Sequence, residues 1–345
     1  MSNTDLKLDF LKGKVIAIVY IFEKENAAGF KHFLTWKEEI LTGWLNAVYE
    51  INCLPYIIDV RTFIQKASNY SLPHIDFVIN LNSGCYELST MGLVPSICSF
   101  LKIPCIPCNA VSILTAENKR ISNYIARGFN LSIPEFLNKT NRKGIYRPVN
   151  LGNSMGVETG NFKNLDKDGI YQEFIYGYDV TIPIAYNFCL KEMDILPPIV
   201  YLPDTLDPNW IYNETAKKDD KGFVTAPVLN ISDLTKKRLI EFIKIFDIKT
   251  YGRIDARIKC TDSKLSKDIV DKPLDLNNLY FIEINSMPTI ETDDGFDLAF
   301  KVVLSSKEHS FYICAKAYTE YFKNPTINGF LLACAIMALS DDVDS

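Results

Sequence analysis

The sequence predicts an α/β protein that begins with a parallel sheet and continues into two further units. "KVIAIVYIF" at 14–22 is a short, continuously apolar run, which is typical of a strand buried on both faces. Strand and helix patterns then alternate through the first hundred residues, which favours parallel strands joined by helices. The chain has 345 residues, more than one compact core usually holds. We therefore expect more than one domain.

The first unit is expected over 1–108. A helical pattern runs from 34 to 51, and "PYIIDV" and "IDFVINLN" follow as the second and third strands. "STMGLVPSICSFLKIPCIPCN" indicates a helix that runs into an edge strand. Functional loops of such a domain lie at the carboxyl ends of its strands.

The second and third units are expected over 109–184 and 185–345. "TAENKRISNYIARGFN" predicts a helix that Gly128 ends, and short strands flank the loop "YRPVNLGNSMGV" at 146–157. "GIYQEFI" and "DVTIPIAYN" indicate another strand pair. The last unit begins with a loop-rich insertion and a helix at 232–245. It ends in two strands, "YGRIDARIK" and "LYFIEIN", joined by a long polar hairpin loop.

Composition excludes several classes of protein. The hydrophobic fraction of 48% and the net charge of −5 indicate a folded, mildly acidic protein, and the scattered basic residues argue against nucleic-acid binding. No apolar run reaches the ~20 residues of a membrane span. The amino-terminal segment lacks a secretory pattern, so we expect a cytoplasmic location. Cys105 and Cys108 form a lone CxxC among nine cysteines, which favours buried or partly buried thiols over zinc or redox chemistry.

The last two strands carry the clearest chemical signal. Arg253 and Asp255 alternate along one strand, and Glu283 and Asn285 alternate along the other, so each pair faces one side. If the strands are neighbours, the oxygen atoms of Asp255, Glu283 and Asn285 form a set that suits Mg²⁺. Two solvent-facing strands with ordinary charges remain the alternative, although the apolar flanking residues weaken it.

The order of the motifs along the chain is also informative. Lys119 on a helix, Arg147 at the start of the glycine loop, "QEFIYGYD" and the two acidic strands together resemble the ATP-grasp superfamily, and most closely its D-alanine–D-alanine ligase-like branch. The resemblance covers nearly the whole chain after the first strand. It implies a three-domain ATP-grasp fold with an N-terminal parallel α/β domain, a small central α+β lid and a C-terminal α+β domain with an antiparallel sheet.

The resemblance also implies roles for individual residues. Arg253 would stabilise the transition state, with Lys217 and Ser154 as further catalytic residues. Asp255, Glu283 and Asn285 would hold Mg²⁺, as two ions, with Mn²⁺ as an alternative. The residues implied to contact ATP are Lys119, Arg147, Asn153, Ser154, Met155, Gln172, Glu173, Phe174, Ile175, Asp179 and Lys217.

The implied activity is ATP-dependent ligation of a carboxylic acid to an amine through an acyl phosphate, with small-molecule substrates and a homodimer as the expected assembly. The sequence departs from the family around the substrate. "TIETDDGF" at 289–296 is acidic, which would repel a carboxylate and attract an amine, unless these acids form only a solvated loop. A substrate pair other than two D-alanines, in specialised metabolism, is therefore expected. A D-alanine–D-alanine ligase proper and a nucleotide-binding regulatory protein remain alternatives. The candidate substrate residues are Glu23, Asn82, Ser83, Lys218, Thr289, Glu291 and Asp294.

Overall fold

The computed structural model describes most of the chain. The residues described are 8–21, 38–84, 88–138, 142–152, 154–165, 167–219, 221–228 and 230–341. Two of the predicted site residues, Glu23 and Asn153, lie outside these ranges. Lys218 lies within a described helix, but its side chain is not described.

The N-terminal unit is a four-stranded parallel sheet with strand order β2-β1-β3-β4, as the alternating pattern predicts. The middle residues of β1 are fully buried, which explains the unbroken apolar run in the sequence. Asp59 ends β2 and caps the next helix by accepting from the backbone N–H groups of Arg61 and Thr62. The elements are β1 (Val15–Tyr20), α1 (Glu38–Glu50), β2 (Leu54–Asp59), α2 (Val60–Ser68), β3 (Phe77–Leu81), α3 (Leu88–Met91), α4 (Leu93–Leu101) and β4 (Cys105–Ile106).

The central unit is a small antiparallel sheet with strand order β6-β5-β7, preceded by two helices. Asn118 starts the second helix, because its side chain accepts from the N–H groups of Arg120 and Ile121. Lys119 is consequently the first helical residue. The elements are α5 (Ala110–Ala116), α6 (Lys119–Gly128), β5 (Lys143–Arg147), β6 (Glu158–Asn161) and β7 (Ile170–Glu173).

The C-terminal unit is built on a six-stranded antiparallel sheet with the path β11-β10-β8-β12-β13, and β9 also pairs with β8. The predicted hairpin between the last two strands is confirmed. The elements are β8 (Gly177–Asn187), β9 (Glu192–Ile195), β10 (Ile199–Pro203), α7 (Glu214–Asp219), β11 (Phe223–Pro227), α8 (Asp233–Ile245), β12 (Tyr251–Lys259), β13 (Leu279–Asn285), α9 (Gly295–Ser305), α10 (Tyr312–Tyr321) and α11 (Ile327–Asp341).

The strands β7 and β8 do not pair with each other, so the prediction of a strand pair there is wrong. β7 pairs with β5 in the small sheet, whereas β8 pairs with β10 and β12 in the large one. The short link between them therefore joins the two sheets. Gly177 begins β8 with φ +150°, and a Cβ there would lie 1.9 Å from the carbonyl oxygen of Ile258. A side chain is excluded at this crossing by that close approach. Because β8 spans the expected boundary at 184, the domain limits stay predictions.

The C-terminal helix α11 joins the first and last units. It packs between α1 and the large sheet, and every residue from Phe330 to Ile336 is fully buried. The chain itself covers this apolar stretch, which therefore gives no support to the expected homodimer. None of the helices in the described ranges combines the length and apolar character needed to cross a membrane. Cys105 is half-buried and Cys108 is buried, which confirms the predicted burial of these two thiols.

Candidate active site

The two acidic strands pair as the sequence predicts. In the antiparallel register, Arg253 lies opposite Asn285 and Asp255 lies opposite Glu283. On the other side of β12, Thr181 of β8 lies opposite Asp255. All five side chains therefore lie on the same region of the large sheet, because residues two apart on a strand and directly opposite residues share a face.

Asp255 lies at the centre of this region. Arg253 donates to it in a bidentate manner, from Nε to Oδ1 at 2.9 Å and from Nη2 to Oδ2 at 2.8 Å. Thr181 donates its hydroxyl to Oδ1, and Asn285 donates Nδ2 to Oδ2 at 2.8 Å. Burial alone would lower the pKa of Arg253, but the adjacent Asp255 carboxylate raises it. The arginine is a permanent cation held beside a carboxylate.

Glu283 faces two cations that come from other elements. Its Oε2 lies 3.1 Å from Lys119 Nζ of α6 and 3.9 Å from Arg147 Nη1 of β5. Burial alone would raise the pKa of Glu283, but Lys119, Arg147 and then Lys217 lower it to about 2. The carboxylate is therefore ionised at any physiological pH.

Arg147 and Gln172 form a buried network beside Glu283. Arg147 is 3% exposed and donates to Gln172 Oε1 at 2.5 Å and to the carbonyl oxygen of Ile282 at 3.0 Å. Gln172 is fully buried and donates from Nε2 to Asn123 Oδ1 and to the Pro134 carbonyl oxygen, each at 3.0 Å. In this structure both side chains line the wall of the site, and their contact with a nucleotide stays a prediction.

The glycine loop approaches the same cations. Lys119 Nζ donates to the carbonyl oxygen of Leu151 at 2.6 Å, and Lys217 Nζ donates to Ser154 Oγ at 3.0 Å. Ser154 has φ 60°, a left-handed conformation that tightens the loop. The N–H of Met155 already donates to Gly152. Burial lowers the pKa of Lys217, as does Arg253, while the neighbouring carboxylates oppose the shift. Lys217 thus brings α7 against the glycine loop.

The link between the two sheets begins with the hinge, Glu173–Ile175. The N–H of Glu173 donates to Glu135, and that of Phe174 donates to Lys143, so the hinge is tied to the central unit. The Ile175 carbonyl oxygen accepts from Arg257 Nε at 2.8 Å. The hinge consequently has bonds to both sheets.

Asp179 of β8 lies close to the hinge and is bound on both oxygens. Arg257 Nη1 lies 2.8 Å from Oδ1, and the N–H of Tyr212 donates to Oδ2 at 2.7 Å. Sequence reasoning missed Arg257 and Thr181. The alternation Arg253-x-Asp255-x-Arg257 was a signal for the first, whereas Thr181 is revealed only by the pairing of β8 with β12.

A buried carboxyl group was also missed by sequence reasoning. Glu117 precedes α6, and its Oε1 accepts from Ser286 N at 2.9 Å and from Ser286 Oγ at 3.0 Å. Burial raises the pKa of Glu117, although Lys119 opposes the shift. Ser286 directly follows Asn285, so Glu117 anchors the end of β13.

The predicted substrate residues lie in different parts of the structure. Asn82 is buried and holds its own loop, since it donates to the Thr90 carbonyl oxygen at 2.6 Å and accepts from Gly84. Asp294 caps α9 by accepting from Phe296 N at 2.8 Å and also accepts from Glu291 N at 2.9 Å. Burial raises the pKa of Asp294 to about 6, although backbone N–H groups and the charge of Arg253 oppose the shift, so the α9 terminus borders the site. Ser83 and Thr289 are half-buried.

The donor set fits a magnesium ion better than a soft metal. Within the described ranges, no group of three or more histidine, cysteine, aspartate or glutamate residues is placed so that it could hold a metal ion. Two carboxylates, Asp255 and Glu283, and the amide oxygen of Asn285 are hard oxygen donors on neighbouring strands. Mg²⁺ commonly takes one or two carboxylates and completes its shell with water and phosphate oxygens. These residues could hold such an ion together with a bound phosphate.

Comparisons with known proteins identify the architecture. No protein-family model and no curated protein matches the sequence. The structure is similar to that of a D-alanine–D-alanine ligase from Bacillus anthracis in complex with ATP, at 15% identity and a TM-score of 0.61, over 96% of this chain and 99% of that one. It is also similar to the VanG D-Ala:D-Ser ligase from Enterococcus faecalis, at 13% identity and a TM-score of 0.57, over 95% and 100%.

A third structure, the D-alanine–D-alanine ligase from Coxiella burnetii, is 10% identical with a TM-score of 0.59, over 96% of this chain and 97% of that one. At such identities the likeness establishes the fold. The three sheets, their order along the chain and the almost complete coverage agree with it. The chain therefore has the three-domain ATP-grasp fold of the D-alanine–D-alanine ligases.

Proposed function

We propose that the protein is an ATP-dependent ligase that joins a carboxylic acid to an amine and releases ADP and phosphate. The observation that carries this proposal is the convergence of cations from separate elements on the paired carboxylates Asp255 and Glu283. Such cations are the groups that neutralise a triphosphate beside a substrate carboxylate. The similarity to a ligase crystallised with ATP supports the same assignment.

The chemistry follows from the poor reactivity of a carboxylate towards an amine. A carboxylate oxygen attacks the γ-phosphorus of ATP, the bond from that phosphorus to the bridging oxygen breaks, and ADP leaves. The amine nitrogen then attacks the carbonyl carbon of the acyl phosphate. Phosphate leaves with the former carboxylate oxygen, and the nitrogen loses a proton. Two steps replace one difficult condensation.

The side chains of this chain then have distinct tasks. Lys119 and Lys217 bind phosphate oxygens, and Ser154 orients Lys217. Arg253 donates two parallel hydrogen bonds, as it does to Asp255, and stabilises the negative charge of the transferring phosphoryl group and of the tetrahedral intermediate. Removal of one such charge is expected to lower the rate by roughly 10²- to 10³-fold.

The nucleoside half of ATP is proposed to lie between the two sheets. The hinge would face the base, and the carboxylate of Asp179 would accept from a sugar hydroxyl. Arg147 and Gln172 are proposed to act mainly by positioning, because their bonds hold Glu283 and the wall of the site. Asn153 and Met155 stay in the proposal as backbone donors of the glycine loop.

Asp255, Glu283 and Asn285 are the residues that would hold Mg²⁺. The bound ion supplies charge neutralisation and orientation of the triphosphate. Lys119 lies beside Glu283 and Arg253 beside Asp255, so both cations border the place where the ion and the phosphate oxygens would bind.

A substrate pair other than two D-alanines is favoured by the surroundings of Asp294. The carboxylate of Asp294 already accepts from N–H groups at the N-terminus of α9. A carboxylate on the incoming amine would meet this negative charge as well as Glu291. We therefore expect an amine or a cationic group at this border, in a reaction of specialised metabolism.

The proposal is tested by incubating the purified protein with Mg·ATP and a panel of carboxylic acids, each with a panel of amines that includes D-alanine. ADP is measured by a coupled assay and the amide by mass spectrometry, with Asp255→Asn as the inactive control. ADP formation that needs both substrates, with a product other than D-alanyl-D-alanine, is the expected result. Turnover with D-alanine alone that equals every other pair would identify a D-alanine–D-alanine ligase. ATP binding without turnover would favour a regulatory protein, and ADP formation without an amine would favour a phosphotransferase.

A further inference from the structure

Arg257 is a buried arginine on the nucleotide side of the site that the chemistry above does not use. It lies two residues after Asp255 on β12 and is 5% exposed. Its Nη2 donates to the carbonyl oxygens of Gly177 at 2.7 Å and of Trp210 at 3.0 Å. With Nε bound to Ile175 and Nη1 to Asp179, all three nitrogens of the guanidinium are engaged.

These contacts join three separate segments of the chain. Ile175 belongs to the hinge, Asp179 lies directly opposite Arg257 on β8, and Trp210 lies in the loop 204–213 that leads into α7. The backbone of the same loop also bonds to β8, since Gly177 N donates to the Pro208 carbonyl oxygen and Tyr212 N donates to Asp179 Oδ2. The guanidinium therefore lies where the base side, the sugar side and the closing helix of the site meet.

The aromatic residues of the loop 204–213 strengthen this connection. Tyr212 stacks on Tyr201 with ring centroids 4.1 Å apart, and Lys217 Nζ lies 5.2 Å from the Tyr212 ring. A displacement of the loop would move the platform on which Lys217 rests. Because Lys217 donates to Ser154, that displacement would also reach the glycine loop.

We propose that Arg257 is a positioning residue that couples binding of the nucleoside to closure of α7 over the phosphates. The inference rests on the proposed function and deepens it. Arg257 fixes the rotamer of Asp179, whose oxygens each keep acceptor capacity for a sugar hydroxyl. By donating to the carbonyl oxygens of Ile175 and Trp210, it fixes the position of the hinge relative to the loop 204–213. Lysine cannot replace it, because a single ammonium lacks the planar fork that meets several acceptors at once.

Calorimetry with two probes separates the two halves of the site. Mg·ADP tests nucleoside and phosphates together, and inorganic tripolyphosphate with Mg²⁺ tests the phosphate half alone. In Arg257→Lys we expect Mg·ADP binding to weaken about tenfold, as for the loss of a hydrogen bond to a charged group. Tripolyphosphate binding stays within about twofold of wild type. Lys259→Met, at the exposed end of β12, is the matched control and leaves both unchanged.

A double-mutant cycle tests the path through Asp179. We expect Asp179→Asn to weaken Mg·ADP selectively, and Asp179→Asn/Arg257→Lys to bind more tightly than the sum of the two losses predicts, since the two residues share one interaction. Additive losses would overturn the assigned path. The positioning role would be overturned if Arg257→Lys bound Mg·ADP with the affinity of wild type. It would also be overturned if the affinities for Mg·ADP and for tripolyphosphate fell by the same factor.

A measurement on the wild-type protein keeps the inference testable if Arg257→Lys does not fold. Adenosine carries no phosphate, yet it is expected to slow amide hydrogen exchange across 204–213 and in α7. Slowed exchange supports the coupling, and unchanged exchange with bound adenosine overturns it. Wild type that binds neither Mg·ADP nor Mg·ATP would instead overturn the proposed function, and this inference with it.

Discussion

Glu283→Gln keeps the shape of the Glu283 side chain and removes the negative charge that faces Lys119 and Arg147. The three side chains are only 4% to 22% exposed, and Glu283 Oε2 lies 3.1 Å from Lys119 Nζ. Burial would raise the pKa of Glu283, but the cations lower it from 4.5 to about 2. This difference corresponds to about 3 kcal/mol at neutral pH. We expect the free energy of unfolding at pH 7 to fall by about that amount, because two buried cations lose the charge that they face.

The pH dependence of this loss has a defined sign. In the unfolded chain Glu283 takes up a proton near pH 4.5, and in the folded protein only near pH 2. Between these values the unfolded state binds more protons, so the contribution of Glu283 is fully present above its unfolded pKa and is lost as the pH falls. Glu283→Gln lacks the contribution at every pH. The difference between the two proteins is therefore largest at pH 7 and narrows towards pH 2.

Urea unfolding, followed by tryptophan fluorescence at pH 7, 5 and 3, measures the effect. Glu158→Gln is the matched control, since Glu158 pairs with Lys167 at 2.5 Å but both side chains are half exposed. An exposed pair contributes only about 0.2–1 kcal/mol. Equal unfolding midpoints of Glu283→Gln and wild type at pH 7 would refute the reasoning. A deficit that is as large at pH 3 as at pH 7 would refute the role assigned to the charge.

Three further predictions concern the site. Lys119→Met should lower kcat/KM for Mg·ATP by roughly 10²- to 10³-fold, while Lys244→Met on the exposed face of α8 leaves it unchanged; equal effects in steady-state assays would contradict the role of Lys119. Gln172→Glu should lower the stability by roughly 1–3 kcal/mol in urea unfolding, because a carboxylate cannot donate the two bonds that the Gln172 amide donates. The exposed Gln65→Glu should change it little, and an unaltered midpoint for Gln172→Glu would contradict the network. Chelation with EDTA should abolish ADP formation, and added Mg²⁺ should restore it; ADP formation that survives chelation would contradict the magnesium site.

The two acidic strands could be predicted from the sequence because the pattern that marks each strand lies within a few consecutive residues. Alternation of two residues places Arg253 with Asp255 and Glu283 with Asn285, and the apolar residues between them mark packed strands. The two strands therefore appear in the structure where the sequence predicts them. The helix predicted over 115–130 instead begins at Lys119, because Asn118 caps it and the preceding residues through Ala116 belong to α5.

The partners of Arg147 and Gln172 could not be read in the same way. The resemblance assigns both residues to a nucleotide by their place in a motif, whereas in the structure they bond to each other and to Ile282 and Asn123. Such contacts depend on how the central unit lies on β13 and α6. A position in a motif does not specify that packing.

Arg257 was overlooked for a similar reason. Its spacing from Asp255 places it on the site face, but its meaning depends on Asp179, which lies 78 residues away in sequence and directly opposite in the sheet. The strand pair β7 and β8 was mispredicted because two adjacent strands in sequence usually pair with each other. Gly177 instead directs the chain from one sheet to the other.

The transfer of oxygen from the acid to phosphate tests the central claim most directly. Carboxylic acids labelled with ¹⁸O in the carboxylate are incubated with Mg·ATP, an amine and the wild-type protein, and the released phosphate and the amide are analysed by mass spectrometry. An acyl phosphate requires that one labelled oxygen appear in phosphate for each amide formed. Amide formation with unlabelled phosphate would contradict that route, and ADP release without any amide across the panel would contradict a ligase.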